Sequence, residues 1–290
     1  VAEPLALCYL NGAYLPLAEA RISPLDRGFL YADGVYEVMP VYGGRPFRFA
    51  AHGERLTRSL AAISMRDPHT REEWRAILGA LIEKNNGADC YVYWQVTRGA
   101  QSGRTHAPLP DIPRTVFAFC APWPAPAPGS HENGLACVTA VDTRWARCDI
   151  KSVALLANVL LRQQSVDAGA SETILLRDGE LTEGSASAVH VVLGGTLVVP
   201  PNSHQILPGT TRGVVEELAV RAALPCRVAP VSEAQLRAAD EIWLSAATRE
   251  VQPVTRLDDR AVGTGKPGPA WRRIYAELQR YKGELAGTPW

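Results

Sequence analysis

A run of alternating prolines divides this chain more sharply than any other stretch of it. Pro122, Pro124, Pro126 and Pro128 fall within APWPAPAPGS, residues 121–130. Each proline fixes its own φ and turns the residue before it away from the helical region, so the segment is an extended, semi-rigid connector. It predicts a domain over residues 1–120, a connector over 121–130 and a second domain over 131–290. At 290 residues and 47% hydrophobic, the chain has apolar material for two cores.

Ahead of the connector, short apolar runs are punctuated by turn signals at Asn11-Gly12, Asp33-Gly34 and Gly43-Gly44, which predicts antiparallel strands. In VYEVMPVY, alternation puts Val35, Glu37 and Met39 on one face and Tyr36 and Val38 on the other, with Pro40 marking an edge or a strand end. Leu56, Leu60 and Ile63 are spaced for a helix over 51–63, and a second helix is expected from about Glu72 to Lys84. CYVYWQVTRG and RTVFAFC read as strands on either side of the long polar loop GAQSGRTHAPLPDIP. Beyond the connector, a strand through LACVTAV is followed by a helix from Ser152 to about Ala168, which Gly169 can end. Hairpins are expected at Asp178-Gly179 and Gly194-Gly195. A helix follows ILPGTTRG with Val214, Val215, Leu218 and Ala222 on its apolar side, then a buried strand EIWLSAAT and a last helix from about Ala270 to Leu285.

Thirty basic residues balance thirty acidic ones without a dense basic run, which gives no footprint for nucleic acid or an anionic membrane. Small-molecule chemistry is the expectation. The opening VAEPLALCYLNG lacks a basic leader pattern, and the apolar stretch from Val153 to Leu161 is broken by Asn158 and is too short to span a bilayer, so a cytoplasmic protein is expected. Cys8, Cys90, Cys120, Cys137, Cys148 and Cys226 form no C-x-x-C pair and lack a His at zinc spacing, which suggests isolated thiols and no metal site.

The candidate chemistry lies mainly in WARCDIKSVALLANVLLRQQ and LTEGSAS. Lys151 sits between Ile150 and a long apolar run, with Glu183 thirty-two positions later. Apolar surroundings disfavour a charged lysine and free its amine as a nucleophile, proton acceptor or Schiff-base former; the other reading is a stem lying on the core with its ammonium in water. The turn Pro208-Gly209-Thr210-Thr211 at a helix start offers backbone N–H groups, two hydroxyls and the positive end of a helix dipole to a phosphate, or the threonines are simple caps. Arg55, on HGERLTRSL, is either a phosphate fork or an exposed helix residue beside Arg58. Glu183, at a turn before GSAS, is either solvated or the partner of a protonated pyridine nitrogen. Gly263-Thr-Gly265-Lys-Pro-Gly268 matches G-x-G-x-x-G literally, but it contains Pro267 and leaves no room for a βαβ unit, so it reads as a turn-rich loop.

Taken in order and spacing, DRGFLYADGVYEV, HGERL, YWQVTRGAQSGRTH, RWARCDIKSVALLANVLLRQQ, ILLRDGELTEGSAS and ILPGTTRGVV resemble fold type IV pyridoxal-phosphate transaminases, and among them the bacterial D-amino-acid aminotransferases. The resemblance implies an α/β (α+β) fold with a small N-terminal α/β domain and a larger C-terminal domain, the cofactor in the cleft between them, and a homodimer. It implies that Lys151 holds pyridoxal 5′-phosphate as a Schiff base and that Glu183 pairs with the ring nitrogen. Arg55, Ser187, Gly209, Thr210 and Thr211 would complete the cofactor site. Arg104 and His106 would form a carboxylate trap reaching the neighbouring subunit's active site, together with Tyr36. The implied reaction is ping-pong transfer of an amino group from D-amino acids, such as D-alanine or D-glutamate, to 2-oxoglutarate or pyruvate. Alternatives of the same fold are (R)-amine transaminases, branched-chain aminotransferases and aminodeoxychorismate lyases; a pyridoxal-phosphate carrier or regulatory protein is the alternative outside enzymes. One departure from the family pattern is Ala246-Ala247, followed by Thr248, where a Ser-Thr pair is common; a hydroxyl to the phosphate would be missing there.

Overall fold

A computed structural model describes residues 3–123 and 129–284. Residues 124–128, on which much of the expected connector falls, lie outside the described residues, as does Leu285 at the expected end of the last helix. The chain divides into two compact units, one containing residues 3–123 with 150–155 and the other 129–149 with 156–284. Lys151 therefore packs with the first unit.

In the first unit, β1 (Leu7–Leu10) and β2 (Ala13–Pro16) form a hairpin whose Asn11 and Gly12 have φ of 49° and 98°. Positive φ at both turn residues matches the strand twist and suits the Asn-Gly pair. There follow α1 (Arg27–Tyr31), β3 (Gly34–Tyr42), β4 (Arg45–Pro46), α2 (Phe49–Ala62), α3 (Arg71–Lys84), β5 (Cys90–Thr97) and β6 (Thr115–Pro122). Among the described residues these strands form a six-stranded antiparallel sheet in the order β2-β1-β6-β5-β3-β4. The alternation read in β3 places Val35, Glu37 and Met39 among buried residues, while Tyr36 and Val38 are half-buried. Val35 and Met39 join Leu56, Leu60, Leu78, Leu81 and Trp94 in one core, where each fully buried leucine contributes about 1.5–3 kcal/mol. Thr70 and Glu73 form a reciprocal capping box at the start of α3.

Asp33-Gly34 is not a hairpin turn. The Asp26 carboxylate accepts from the Gly28 N–H, which starts the short helix α1, and Ala32 ends it with φ of 54° before Gly34 opens β3. Nor does Pro40 end its strand, which continues to Tyr42. The Pro40 carbonyl points to the short β4 side, where it accepts from Phe47 N at 2.7 Å, so the missing N–H takes nothing from the β5 ladder.

The second unit contains α4 (Ser130–Asn133), β7 (Leu135–Val141), α5 (Leu156–Asp167), β8 (Glu172–Arg177), β9 (Glu180–Gly184), β10 (Ala188–Leu193), β11 (Thr196–Val199), α6 (Thr210–Arg221), β12 (Cys226–Val228), α7 (Glu233–Arg237), β13 (Glu241–Ala246), β14 (Glu250–Leu257), β15 (Arg260–Ala261) and α8 (Pro269–Glu284). Its mixed sheet runs β12-β11-β10-β13-β14-β7-β8-β9, with β15 paired to β14. Asp178-Gly179 and Gly194-Gly195 are hairpin turns with positive φ at each residue. Val214, Val215 and Leu218 of α6 are buried, as is Ala222 just beyond it. β14 is not anticipated in the sequence; Pro253 stands inside it, opposite Trp243 of β13, and β7 joins β14 only from Val254 onward.

The helix expected from Ser152 begins four residues later, at Leu156. Residues 151–153 are instead held extended beside β3: Tyr36 N donates to Lys151 O at 3.0 Å, Val153 N to Gly34 O at 3.1 Å, and Ser152 bridges Val35. The added strand-like pairing outweighs the cap signal of Ser152. At the other end the helix stops as read, with Gly169 at φ of 63° and Ala170 N donating to Ser165 O. Among the described residues, no helix is long and apolar enough to cross a membrane.

Candidate active site

Lys151 is fixed through its backbone and left open at its amine. Its N–H donates to the Ser59 hydroxyl on α2 at 3.2 Å, and its carbonyl accepts from Tyr36 on β3. Nζ lies 4.2 Å from the centre of the Tyr36 ring. Among the described residues it has neither a carboxylate nor a hydrogen-bond partner. Tyr36 stacks on Tyr93 at 5.4 Å and Tyr93 on Phe119 at 5.1 Å, a row of rings crossing β3, β5 and β6 that gives the lysine a rigid apolar floor. An ammonium over a ring face is stabilised by about 0.5–1 kcal/mol at an exposed site, far less than a buried ion pair gives. The amine is thus positioned without an ion pair among the described residues.

Arg55 is not an exposed helix residue. It is 4% exposed, and its Nε and Nη2 each donate to the Glu37 carboxylate at 2.7 Å. His52 Nδ1 meets the same carboxylate at 2.8 Å, which fixes Nδ1 as the protonated nitrogen when the ring is neutral. Burial alone would raise the Glu37 carboxyl, but the Arg55 guanidinium, helped by His52, brings it down to about 2. Burial also lowers the His52 pKa, against the pull of Glu37. One carboxylate from β3 therefore holds a cation and a histidine of α2 in a single geometry.

Glu183 ends β9 and is buried. It accepts from Arg144 Nη1 and from the Leu207 N–H at 3.2 and 3.3 Å. Arg144 is itself oriented by Asp142, with Nε to Oδ1 at 2.9 Å and Nη2 to Oδ2 at 2.8 Å. Burial pushes the Glu183 carboxyl above its usual range, opposed by Arg144 and by the Leu207 N–H. A further positive neighbour would hold it ionised. The sequence reading passed over Arg144, Asp142, Glu37, His52 and Leu207; the signals available were an Asp-x-Arg at the end of β7 and a charged residue on the buried side of β3.

Gly209 is the N-cap and Thr210 and Thr211 begin α6, whose first turn no side chain caps among the described residues. The Gly209 carbonyl takes the Gly213 N–H, so the N–H groups of residues 210–212 point out of the helix end. By contrast, the Gly-rich loop before α8 ends at a helix start already filled: Glu241 accepts from Ala270 N at 2.9 Å and Trp271 N at 2.8 Å. Ser187 is engaged elsewhere, donating to Glu172 at 3.0 Å, and the Ser185 hydroxyl donates to the same buried carboxylate. Ala246, Ala247 and Thr248 fall at the end of β13 and in the turn after it. Arg104 and His106 lie on the loop between β5 and β6, around Tyr31 rather than Tyr36, with the Arg104 guanidinium 5.3 Å and the His106 ring 5.6 Å from the Tyr31 ring centre. Among the described residues, no group of His, Cys, Asp and Glu is placed to hold a metal ion.

Taken unit by unit, the groups suit pyridoxal phosphate chemistry: the first unit offers a lysine amine without a partner among the described residues, and the second a buried carboxyl raised by burial and a helix start whose N-cap glycine has no side chain to cap it. Comparison with known proteins gives the class. Residues 34–257 match the family described as amino-transferase class IV, and the chain belongs to that family of aminotransferases. It is 34% identical over 273 residues to the D-alanine aminotransferase of Staphylococcus haemolyticus, covering 94% of this chain and 96% of that one. It is 36% identical over 269 residues to the D-alanine aminotransferase of Bacillus licheniformis, covering 93% and 94%. Among solved structures it resembles the Escherichia coli branched-chain amino acid aminotransferase, with a TM-score of 0.91 at 25% identity over 98% of this chain and 95% of that one. A T.th. branched-chain amino acid aminotransferase with pyridoxamine 5′-phosphate superposes with a TM-score of 0.88 at 28% identity, covering 96% and 95%. The chain is therefore a fold type IV aminotransferase.

Proposed function

We propose that this enzyme is a pyridoxal-phosphate-dependent transaminase that moves the amino group of D-amino acids, D-alanine among them, to an α-keto acid. The observation that carries the reading is the Lys151 amine, locked by its backbone to β3 and α2 and without an ion-pair partner over the Tyr36 ring. The D-alanine aminotransferases similar over nearly the whole chain support the substrate class. When bound, the cofactor supplies a carbonyl for capture of an amine and a ring that accepts the electrons left when the Cα proton departs.

Toward that cofactor, Lys151 would be the covalent anchor, and its amine would be the base that moves the proton at the substrate Cα. Glu183 keeps a proton on the ring nitrogen, with Arg144 and Leu207 fixing its orientation. Arg55, Gly209, Thr210 and Thr211 hold the phosphate, Arg55 being braced by Glu37. Ser187, its hydroxyl held by Glu172, is left its backbone to line the cofactor site. Arg104, His106 and Tyr36 hold the substrate carboxylate, which decides which hydrogen on Cα faces Lys151. The protein works as a homodimer in which the Arg104 loop serves the neighbouring copy; the exposed Leu156, Val159 and Leu160 of α5 are apolar surface suited to such an interface.

Replacing Arg104 by alanine is expected to lower kcat/KM for D-alanine by about 10–100-fold, the cost of a charge-assisted pair with a carboxylate. Turnover of (R)-1-phenylethylamine, which has no carboxylate, is expected to be spared. Equal losses on both substrates would contradict the carboxylate role.

A further inference from the structure

Arg27 is 3% exposed and uses its whole guanidinium edge. Its Nε donates to Asp33 at 2.8 Å, Nη1 to the Thr105 carbonyl at 2.7 Å and Nη2 to the His106 carbonyl at 2.8 Å. Its carbon Cζ lies 4.7 Å from the Tyr31 ring centre, the same ring that Arg104 approaches at 5.3 Å and His106 at 5.6 Å. Among the described residues, no other hydrogen bond reaches residues 102–108. The Arg104–His106 segment of the loop is thus held by one side chain and one ring, while Gln101 Oε1 accepts the Leu109 N–H across its base at 3.1 Å.

The anchor is itself over-determined. Asp33 also takes Arg98 Nε at 2.8 Å, and Arg27 N donates to Gly99 O at 2.9 Å, so α1 grips the start of the loop as well as its middle. Asp26 ties α1 to the sheet by accepting from Thr97 and Thr115 hydroxyls at 2.8 and 2.6 Å. Gly28 is required for that fit, since a Cβ there would stand 2.3 Å from Thr97 Cγ2. Only a planar fork can reach two successive carbonyls and a carboxylate at once; a lysine ammonium cannot reproduce that spread.

We propose that Arg27 is a positioning residue for substrate recognition: by bridging the Thr105 and His106 carbonyls it fixes the loop in the shape that presents Arg104 and His106 to the substrate carboxylate. The proposal rests on the reading of Arg104 and His106 as carboxylate ligands. It explains why DRGFLYADG stands ahead of β3 although none of its side chains has a role in the chemistry.

The test compares holoenzyme with Arg27→Lys, which keeps the charge but not the fork. Trypsin under native conditions, with fragments mapped by mass, reports the exposed Arg104–Thr105 bond; KM and kcat for D-alanine report recognition. The variant is expected to be cut after Arg104 at least about tenfold faster than wild type, with cleavage elsewhere unchanged, and to show a KM about tenfold higher at a kcat within about twofold. If Arg27→Lys does not fold, Asp33→Asn, which loosens the same fork, is expected to show both changes in the same direction. Unchanged cleavage after Arg104, or a loss confined to kcat, would overturn the proposal. A wild type that is slow to be cut after Arg104 but does not use D-alanine would instead overturn the substrate reading and leave the clamp standing.

Discussion

Lys151→Ala is expected to abolish transamination, by at least ~10^4-fold, while leaving the protein folded. The size follows from the two roles assigned to one amine, covalent anchor and proton carrier, since general base catalysis alone contributes about 10²–10⁴-fold. The folded state survives because Lys151 is built into the structure by its backbone: the N–H to Ser59 and the carbonyl to Tyr36 remain in alanine. What the side chain loses is a ring contact worth about 0.5–1 kcal/mol. Turnover and the thermal midpoint, measured on the same preparation, check both halves. Turnover close to wild type contradicts the assignment of Lys151.

The largest expected effect on stability comes from Glu37. Alanine there leaves the Arg55 charge buried without its carboxylate, at a cost of about 3–5 kcal/mol, and takes the brace from a proposed phosphate ligand. Glu37 also predicts how acid acts. Its folded pKa of about 2 lies below the ordinary 4.5, so its stabilisation is fully present above 4.5 and is lost as pH falls through about 2. At 1.36 kcal/mol per unit the full loss is about 3 kcal/mol, of which about 2 kcal/mol has gone by pH 3, and it is absent from Glu37→Ala. His52 acts in the same direction at higher pH, because burial lowers its folded pKa and protonation in acid favours the unfolded chain. Urea midpoints of wild type and variant at neutral pH and at pH 3 measure both effects. A variant that loses less than about 1 kcal/mol at neutral pH contradicts the buried-pair account.

The hairpins and the main helices were legible because local chemistry forces them. Asn11-Gly12, Gly43-Gly44, Asp178-Gly179 and Gly194-Gly195 all adopt the positive φ that those residue types tolerate. Where tertiary pairing competes with a local signal, the sequence misleads. Ser152 opens the expected helix in the sequence, but residues 151–153 pair with β3 instead. The reactive residues followed the same division. Lys151 and the Gly209–Thr211 turn stand out in short motifs, whereas the residues that orient the site act across distance: Glu37 meets Arg55 eighteen positions away, Arg144 meets Glu183 thirty-nine away, and Arg27 meets Thr105 seventy-eight away. No short motif announces such pairs, because their partners are chosen by the sheet and not by spacing.

The central claim is that the Lys151 amine exchanges an amino group with D-amino acids. It is tested most directly by mixing holoenzyme separately with D-alanine, L-leucine and (R)-1-phenylethylamine, without an acceptor, and following the cofactor's absorbance. The account predicts conversion to the pyridoxamine phosphate form by D-alanine at a rate far above that of the other two. Faster conversion by L-leucine or by the amine would contradict it, leaving the fold and Lys151 in place but removing the D-amino-acid assignment.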